Sequence, residues 1–268
     1  MASSRFSSRS LLTVALLGAA VAVSGCANKQ LTTGSINRSG GEPISQMSSG
    51  ELGAATERLG QAYAKDPKNI PAAMSYASAL GMSGRNDQAL AVMRKLTIDH
   101  PKERQVLSAY GKALASVGEF EPALDAVRRA QTPEYPDWKL VSAEGAILDQ
   151  MGERDQARVL FRKALDLRPN EPSILSNLGM SYLLEGDLKT AEIHMRKASE
   201  QPGADSRVRQ NLALVVGLQG RFEEAERIAS AELSPDQAQA NVQYLRQMLS
   251  QQNAWQQLSD EEKENNTN

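Results

Sequence analysis

The sequence predicts an all-α chain, a right-handed superhelix (α-solenoid) of helical hairpins. Two observations carry this. Glycines recur every 34 residues at Gly84, Gly118, Gly152, Gly186 and Gly220, and a fixed period of this length marks a repeat architecture. Alanine and leucine dominate the apolar residues while aromatics make up only 4%. That balance suits helices and offers a sheet few β-branched or aromatic side chains.

Residues 1–25 read as a leader, not as part of the fold. Arg5 and Arg9 precede an uncharged run from Leu11 to Val23, 13 residues long. A membrane span needs about 20 residues, so the run fits the apolar region of a signal peptide. Val23-Ser24-Gly25-Cys26 closes it and resembles the bacterial lipobox. That resemblance implies cleavage before Cys26 and attachment of lipid to its thiol, so the membrane is reached through Cys26. Ala27 follows in place of aspartate. The enterobacterial sorting rule then implies the outer membrane, with the protein facing the periplasm. Residues 26–48 are rich in Ser, Thr and Gly and read as a flexible tether.

The repeats run without a gap over residues 70–239, five units of 34. Seven residues before each glycine stand Ala77, Gly111, Gly145, Gly179 and Ala213; five residues after stand Ala89, Ala123, Ala157, Ala191 and Ala225. Small residues in both columns let two helices cross closely. The glycine itself allows the positive φ that ends the first helix. Residues 49–69 carry Leu52, Ala55, Leu59, Ala62 and Pro67 in the second-helix columns of the same frame and read as an N-terminal capping helix. In the last unit Glu232 replaces the small residue near the end of the second helix, which predicts a degenerate helix there. Val242, Leu245 and Leu249 share one helical face, so 240–257 reads as a terminal helix. Residues 258–268 are polar and read as disordered.

These columns resemble the tetratricopeptide family. The unit Trp138–Glu171 fits its pattern best, with Gly145, Leu148, Gly152, Ala157, Phe161, Ala164 and Pro169. The resemblance implies a groove lined by the first helices, with partners bound there. Transferred position by position, that groove includes Lys112, Lys139, Asn177, Met180, Leu184, Arg207, Gln210, Asn211 and Leu214, together with Ser142, Ala146, Asp149, Ser176, Leu183 and Leu218. Of the residues that hold a C-terminal carboxylate in some members, only Asn177 is matched outright. A chaperone-tail clamp is therefore not expected.

No nucleophile, acid–base pair or phosphate loop stands out, so the sequence predicts no catalytic residues and no cofactor. One cysteine and two histidines offer no metal site. His100 falls at the end of a second helix and reads as a cap or a solvent contact; His194 lies among variable positions and reads the same way. From Cys26 onward 28 basic residues face 32 acidic ones, a net of −4, which excludes the basic footprint of a nucleic-acid binder.

The leader, the tether, the repeats and the segment NVQYLRQMLSQQNAWQQL together resemble the lipoproteins of the Flp/Tad (type IVb) pilus assembly machinery. The resemblance implies a scaffold whose protein partners are the pilus secretin or other Tad components. Other lipoprotein scaffolds of the outer membrane (a type IVa pilotin, an outer-membrane protein assembly factor) and regulators of cell-wall enzymes fit the same leader and repeats.

Overall fold

The structure, a computed structural model, describes residues 49–132, 134 and 136–265. The leader over 1–25, Cys26, the tether and the last three residues lie outside the described residues. Every described element is a helix. In order they are α1 (Ser49–Lys65), α2 (Ile70–Met82), α3 (Asn86–Asp99), α4 (Arg104–Ser116), α5 (Phe120–Ala130), α6 (Trp138–Gln150), α7 (Arg154–Leu167), α8 (Pro172–Glu185), α9 (Leu188–Ser199), α10 (Ser206–Leu218), α11 (Phe222–Ala229) and α12 (Pro235–Asn265). They fall into two compact units that divide between Pro169 and Asn170. α1–α7 belong to the first and α8–α12 to the second.

Each hairpin closes by the same local chemistry. Gly84, Gly118, Gly152, Gly186 and Gly220 all have positive φ, between 73° and 90°. At Gly152 the turn is tied by Glu153 N–H donating to the Leu148 carbonyl at 2.9 Å and Gly152 N–H donating to Asp149 at 3.1 Å. Those bonds satisfy carbonyls that a helix end leaves open. Several helix starts carry side-chain caps: Asn69 accepts from Ala72 N–H at 3.0 Å, Asp187 from Thr190 N–H at 3.0 Å and Asp205 from Val208 N–H at 3.1 Å.

In the first unit, α1 packs on α2, and the first helices α2, α4 and α6 lie side by side. Tyr63 of α1 stacks on Tyr76 of α2 with centroids 5.5 Å apart. Hairpin crossings are built on missing side chains. A Cβ on Gly145 would lie 2.9 Å from the Phe161 ring and 3.1 Å from the Ala157 carbonyl oxygen. Gly111 stands in the same relation to Val127 and Ala123. Ala123, Ala157, Phe161 and Val127 are buried at 1% exposure or less, as is Met93 in the hairpin before. His100 is the C-cap of α3, as the sequence suggests, and its Nε2 lies 2.8 Å from the Lys68 carbonyl oxygen.

The second unit repeats the arrangement with α8–α9 and α10–α11 and ends on α12. Gly179 crosses α9 against Met195 and Ala191. Helix α11 has only 8 residues. Glu232, which follows it, is paired with Arg209 of α10, so an ion pair stands where earlier units bury an alanine or leucine. The last helix spans Pro235–Asn265, whereas the sequence reading places a helix over 240–257 and a structureless tail over 258–268. Pro235 suits a first turn, and from there to Asn265 no glycine or further proline stops the helix. Ala238, Val242 and Leu245 are buried, and Leu245 lies 3.0 Å from where a Cβ on Gly217 would sit. No helix among the described residues is long and apolar enough to cross a membrane.

A charge network ties α9 to the next turn. Glu192 accepts from Arg221, from Gln219 at 2.8 Å and from Arg196 at 2.7 Å, and Arg196 also pairs with Glu224. The Arg221 hydrogen bond, with Gln219 and Arg196 behind it, pulls the Glu192 carboxyl from 4.5 down to about 2. A carboxyl depressed in the folded state stabilises the fold above its unfolded value and loses that contribution as pH falls through the folded one. Stability is therefore expected to drop between pH 4.5 and about 2, and Glu192→Gln is expected to flatten part of that drop. Urea midpoints of both proteins across this range measure the difference; identical pH profiles would remove the network from the account.

Candidate protein-binding face

The first helices of successive hairpins form one continuous face in each unit. All nine residues assigned to the groove (Lys112, Lys139, Asn177, Met180, Leu184, Arg207, Gln210, Asn211 and Leu214) are half-buried, neither in the core nor fully open. Four others read onto the same face are buried: Ser142 at 2% exposure, Asp149 at 7%, Ser176 at 3% and Leu183 at 2%. Buried as they are, these four belong to the floor of the face and are not contact points.

On the first unit the face carries Lys112 of α4 and Lys139 of α6. Burial lowers the Lys112 ammonium to about 8, and repulsion from Lys139 adds to it while Asp137 opposes it. Asp137 caps α6 by accepting from Lys139 N–H at 2.9 Å, and the Lys139 ammonium lies 5.6 Å from the centroid of the Trp138 ring. Asp137 and Trp138 were not singled out from sequence. Their signal was an Asp directly before a helix start.

On the second unit the face is apolar with amide groups. Met180 and Leu214 pack against the core cluster of Leu183, Met195, Leu212 and Val216. They present one side to solvent and the other to that core. Asn211 donates to Ser176 Oγ at 3.1 Å, and Ser176 in turn donates to the Met195 sulfur at 3.6 Å. One amide hydrogen of Asn211 is therefore committed to the fold. Gln210 donates to Ser206 Oγ at 2.9 Å. Gln210 and Leu214 also edge an apolar cavity of about 30 Å³ between α10, α11 and α12, room for roughly one water and not for a ligand. His194 stacks on Tyr182 with centroids 5.5 Å apart and planes 4° from parallel, a packing role. Among the described residues no group of His, Cys, Asp and Glu is placed to hold a metal.

Side-by-side hairpins presenting one face define a helical-repeat scaffold that works by binding. The particular repeat is the tetratricopeptide repeat: residues 46–113 and 143–206 each match a model of it. The chain is a tetratricopeptide-repeat protein, and such repeats generally serve as scaffolds for protein contacts. No curated protein matches its sequence at a significant level. Among solved structures it is similar to a tetratricopeptide repeat protein from Parabacteroides merdae, at 15% identity and a TM-score of 0.64, over 74% of this chain and 78% of that one. It is similar to TTC0263, a thermophilic protein of this class from Thermus thermophilus, at 26% identity and a TM-score of 0.55, over 62% and 91%. A third is PilW, described as a widely conserved type IV pilus biogenesis factor, at 20% identity and a TM-score of 0.55, over 75% and 91%.

Proposed function

We propose that this chain is a lipid-anchored scaffold of the TadD kind, held at the outer membrane by Cys26 and facing the periplasm, where it binds components of the Flp/Tad pilus or its secretin during assembly. The observation that carries the reading is Val23-Ser24-Gly25-Cys26 ahead of a Ser/Gly tether and a run of tetratricopeptide hairpins. A fold built to bind protein, tied by a tether to a lipid, puts a binding face near a membrane without a spanning helix. The terminal segment NVQYLRQMLSQQNAWQQL points to the Tad machinery. The alternative is another lipoprotein scaffold, such as one of type IVa pili; PilW, similar in fold, is described as a type IV pilus biogenesis factor.

A photocrosslinking residue at Leu184 or Arg207, in cells that make the pilus, tests this. Adducts with the Tad secretin or its neighbours are the expected result. Adducts with type IVa pilus proteins would move the protein to that alternative, and adducts confined to peptidoglycan synthases would overturn the pilus reading. The pair Arg207→Glu and Asn177→Ala is expected to weaken capture by tenfold or more, on the order of a lost charge-assisted contact plus a repulsive one, with helicity by circular dichroism unchanged. Full capture by this variant would place the partner elsewhere on the molecule.

A further inference from the structure

The second helices of the first unit, α3, α5 and α7, each carry a pair of basic residues at one place in the repeat: Arg94 and Lys95, Arg128 and Arg129, Arg162 and Lys163, each pair 34 residues after the last. All six are exposed. In the second unit, α9 carries Arg196 and Lys197 at the same place. Hairpin packing asks for small and apolar residues and does not account for a column of exposed cations. Their carboxylate partners do not cancel them outward. Asp99 lies 3.9 Å from Lys95 and Glu144 lies 2.8 Å from Arg128; in both pairs the carboxylate is the sheltered member, and the cation is the one solvent meets. Arg94 with Glu119 and Arg129 with Asp125 are exposed on both sides, and such pairs contribute little. Of the other acids on these helices, Asp87, Glu121 and Asp155 stand in the first turns, about two helical turns before the basic pairs, and Asp166 on α7 is exposed. Exposed aliphatic side chains stand beside the same pairs. Ile98, 77% exposed, lies one turn beyond Arg94; Val159, 59% exposed, and Leu167 lie one turn before and one turn after Lys163. On α9, Ile193 lies one turn before Lys197. A single exposed aliphatic residue is ordinary. Its recurrence beside cations in one layer of helices is not explained by folding.

We propose that this column of the second helices rests on an anionic phospholipid surface, its cations on the headgroup phosphates and its aliphatic side chains in the headgroup layer. The boundary between headgroups and acyl chains accepts both kinds of group side by side, and lysine and arginine are attracted to it wherever the lipids are anionic. A column that repeats one charge at one spacing suits a partner offering the same group everywhere, as a bilayer does. An acidic protein would match the cations and leave Ile98 and Val159 without a reason. The consequence is orientation. The second helices of the first unit pack on the first helices, so seating the second-helix layer on lipid leaves the first-helix face of that unit open to a protein partner. The inference rests on the proposed membrane location, but its test is read without the lipid at Cys26, so the two can fail separately.

Vesicle cosedimentation is the test. It uses the chain from residue 26 onward, which keeps every described residue, with Cys26→Ser so that no lipid is attached. This protein is expected to sediment with phosphatidylcholine vesicles that contain phosphatidylglycerol and not with phosphatidylcholine alone, and to be released as salt is raised. Lys95→Glu/Lys163→Glu should bind at least about tenfold more weakly, since each charge near an anionic surface counts and both are reversed. Ile98→Ser/Val159→Ser should also bind more weakly and keep the salt dependence. All four positions are exposed, so melting curves should be unchanged. With Cys26 replaced the chain has no other cysteine, so Ile98→Cys can carry one environment-sensitive dye. Its emission should shift to the blue on phosphatidylglycerol vesicles, while the same dye at Ala146→Cys on the first-helix face should not shift. Equal binding to both kinds of vesicle, undiminished binding by the charge-reversed variant, or a dye at Ile98 that stays in water would each overturn the proposal. Binding to polyglutamate with none to vesicles would assign the column to an acidic protein and overturn it as well. None of these results touches the anchor at Cys26, which lipid labelling decides.

Discussion

Cys26→Ser is expected to abolish labelling by radioactive palmitate and to move the protein from the membrane to the periplasmic fraction. The proposed modification is a thioether, and a serine hydroxyl does not form one. Each buried methylene contributes roughly 0.8 kcal/mol, so one acyl chain binds a bilayer reversibly and two or more hold it firmly. Loss of the thiol removes all of them at once. The substitution lies well ahead of Ser49, the start of α1, so the melting curve of the released protein should match that of the parent without its lipid. Membrane retention undiminished in Cys26→Ser would overturn the lipobox reading and leave localisation to the repeats or to a partner.

Ala157→Leu is expected to give a large loss of stability in the first unit. Ala157 is at 0% exposure, and its carbonyl oxygen lies 3.1 Å from where a Cβ on Gly145 would stand. A leucine adds three carbons at a crossing where even the opposing Cβ is missing. Overpacking of this kind costs typically about 1–3 kcal/mol, and two backbones in contact leave little room to relax, so about 3 kcal/mol is expected. The control is Ala157→Ser, which adds one small atom and should cost less. Thermal or urea midpoints report the difference; an unaltered Ala157→Leu transition would mean that α6 and α7 do not cross at this register.

Much of the fold was legible because repeats display their constraints several times. One glycine in a helical pattern says little, but Gly152 with its counterparts shows a turn that requires positive φ at each repeat. The same holds for Gly145 and Ala157, whose smallness makes sense only if they meet. What the period cannot show is which polar residue of a first helix is floor and which is rim. Ser142 and Asp149 read as groove residues and are buried. Nor could spacing show the Glu192 network, since Glu192, Arg196, Arg221 and Glu224 sit at positions that no column constrains. The length of α12 was missed for another reason. Its polar composition resembles a disordered tail, while its lack of helix breakers allows the helix to run on.

The Leu245 seat on Gly217 has a consequence for where the chain stops repeating. Any hairpin offers its successor a broadly similar surface, and nothing in such a surface by itself says that no successor should come. In the hairpin before, the residue at the place of Gly217 is Leu183, which is buried against its own neighbours. A terminal helix bearing Leu245 fits closely over the glycine, and a leucine there would force the Leu245 side chain to shift. The closing helix is thus better matched to this hairpin than to the one before it, so the end of the array is marked in its packing like a stop signal, by a single missing side chain.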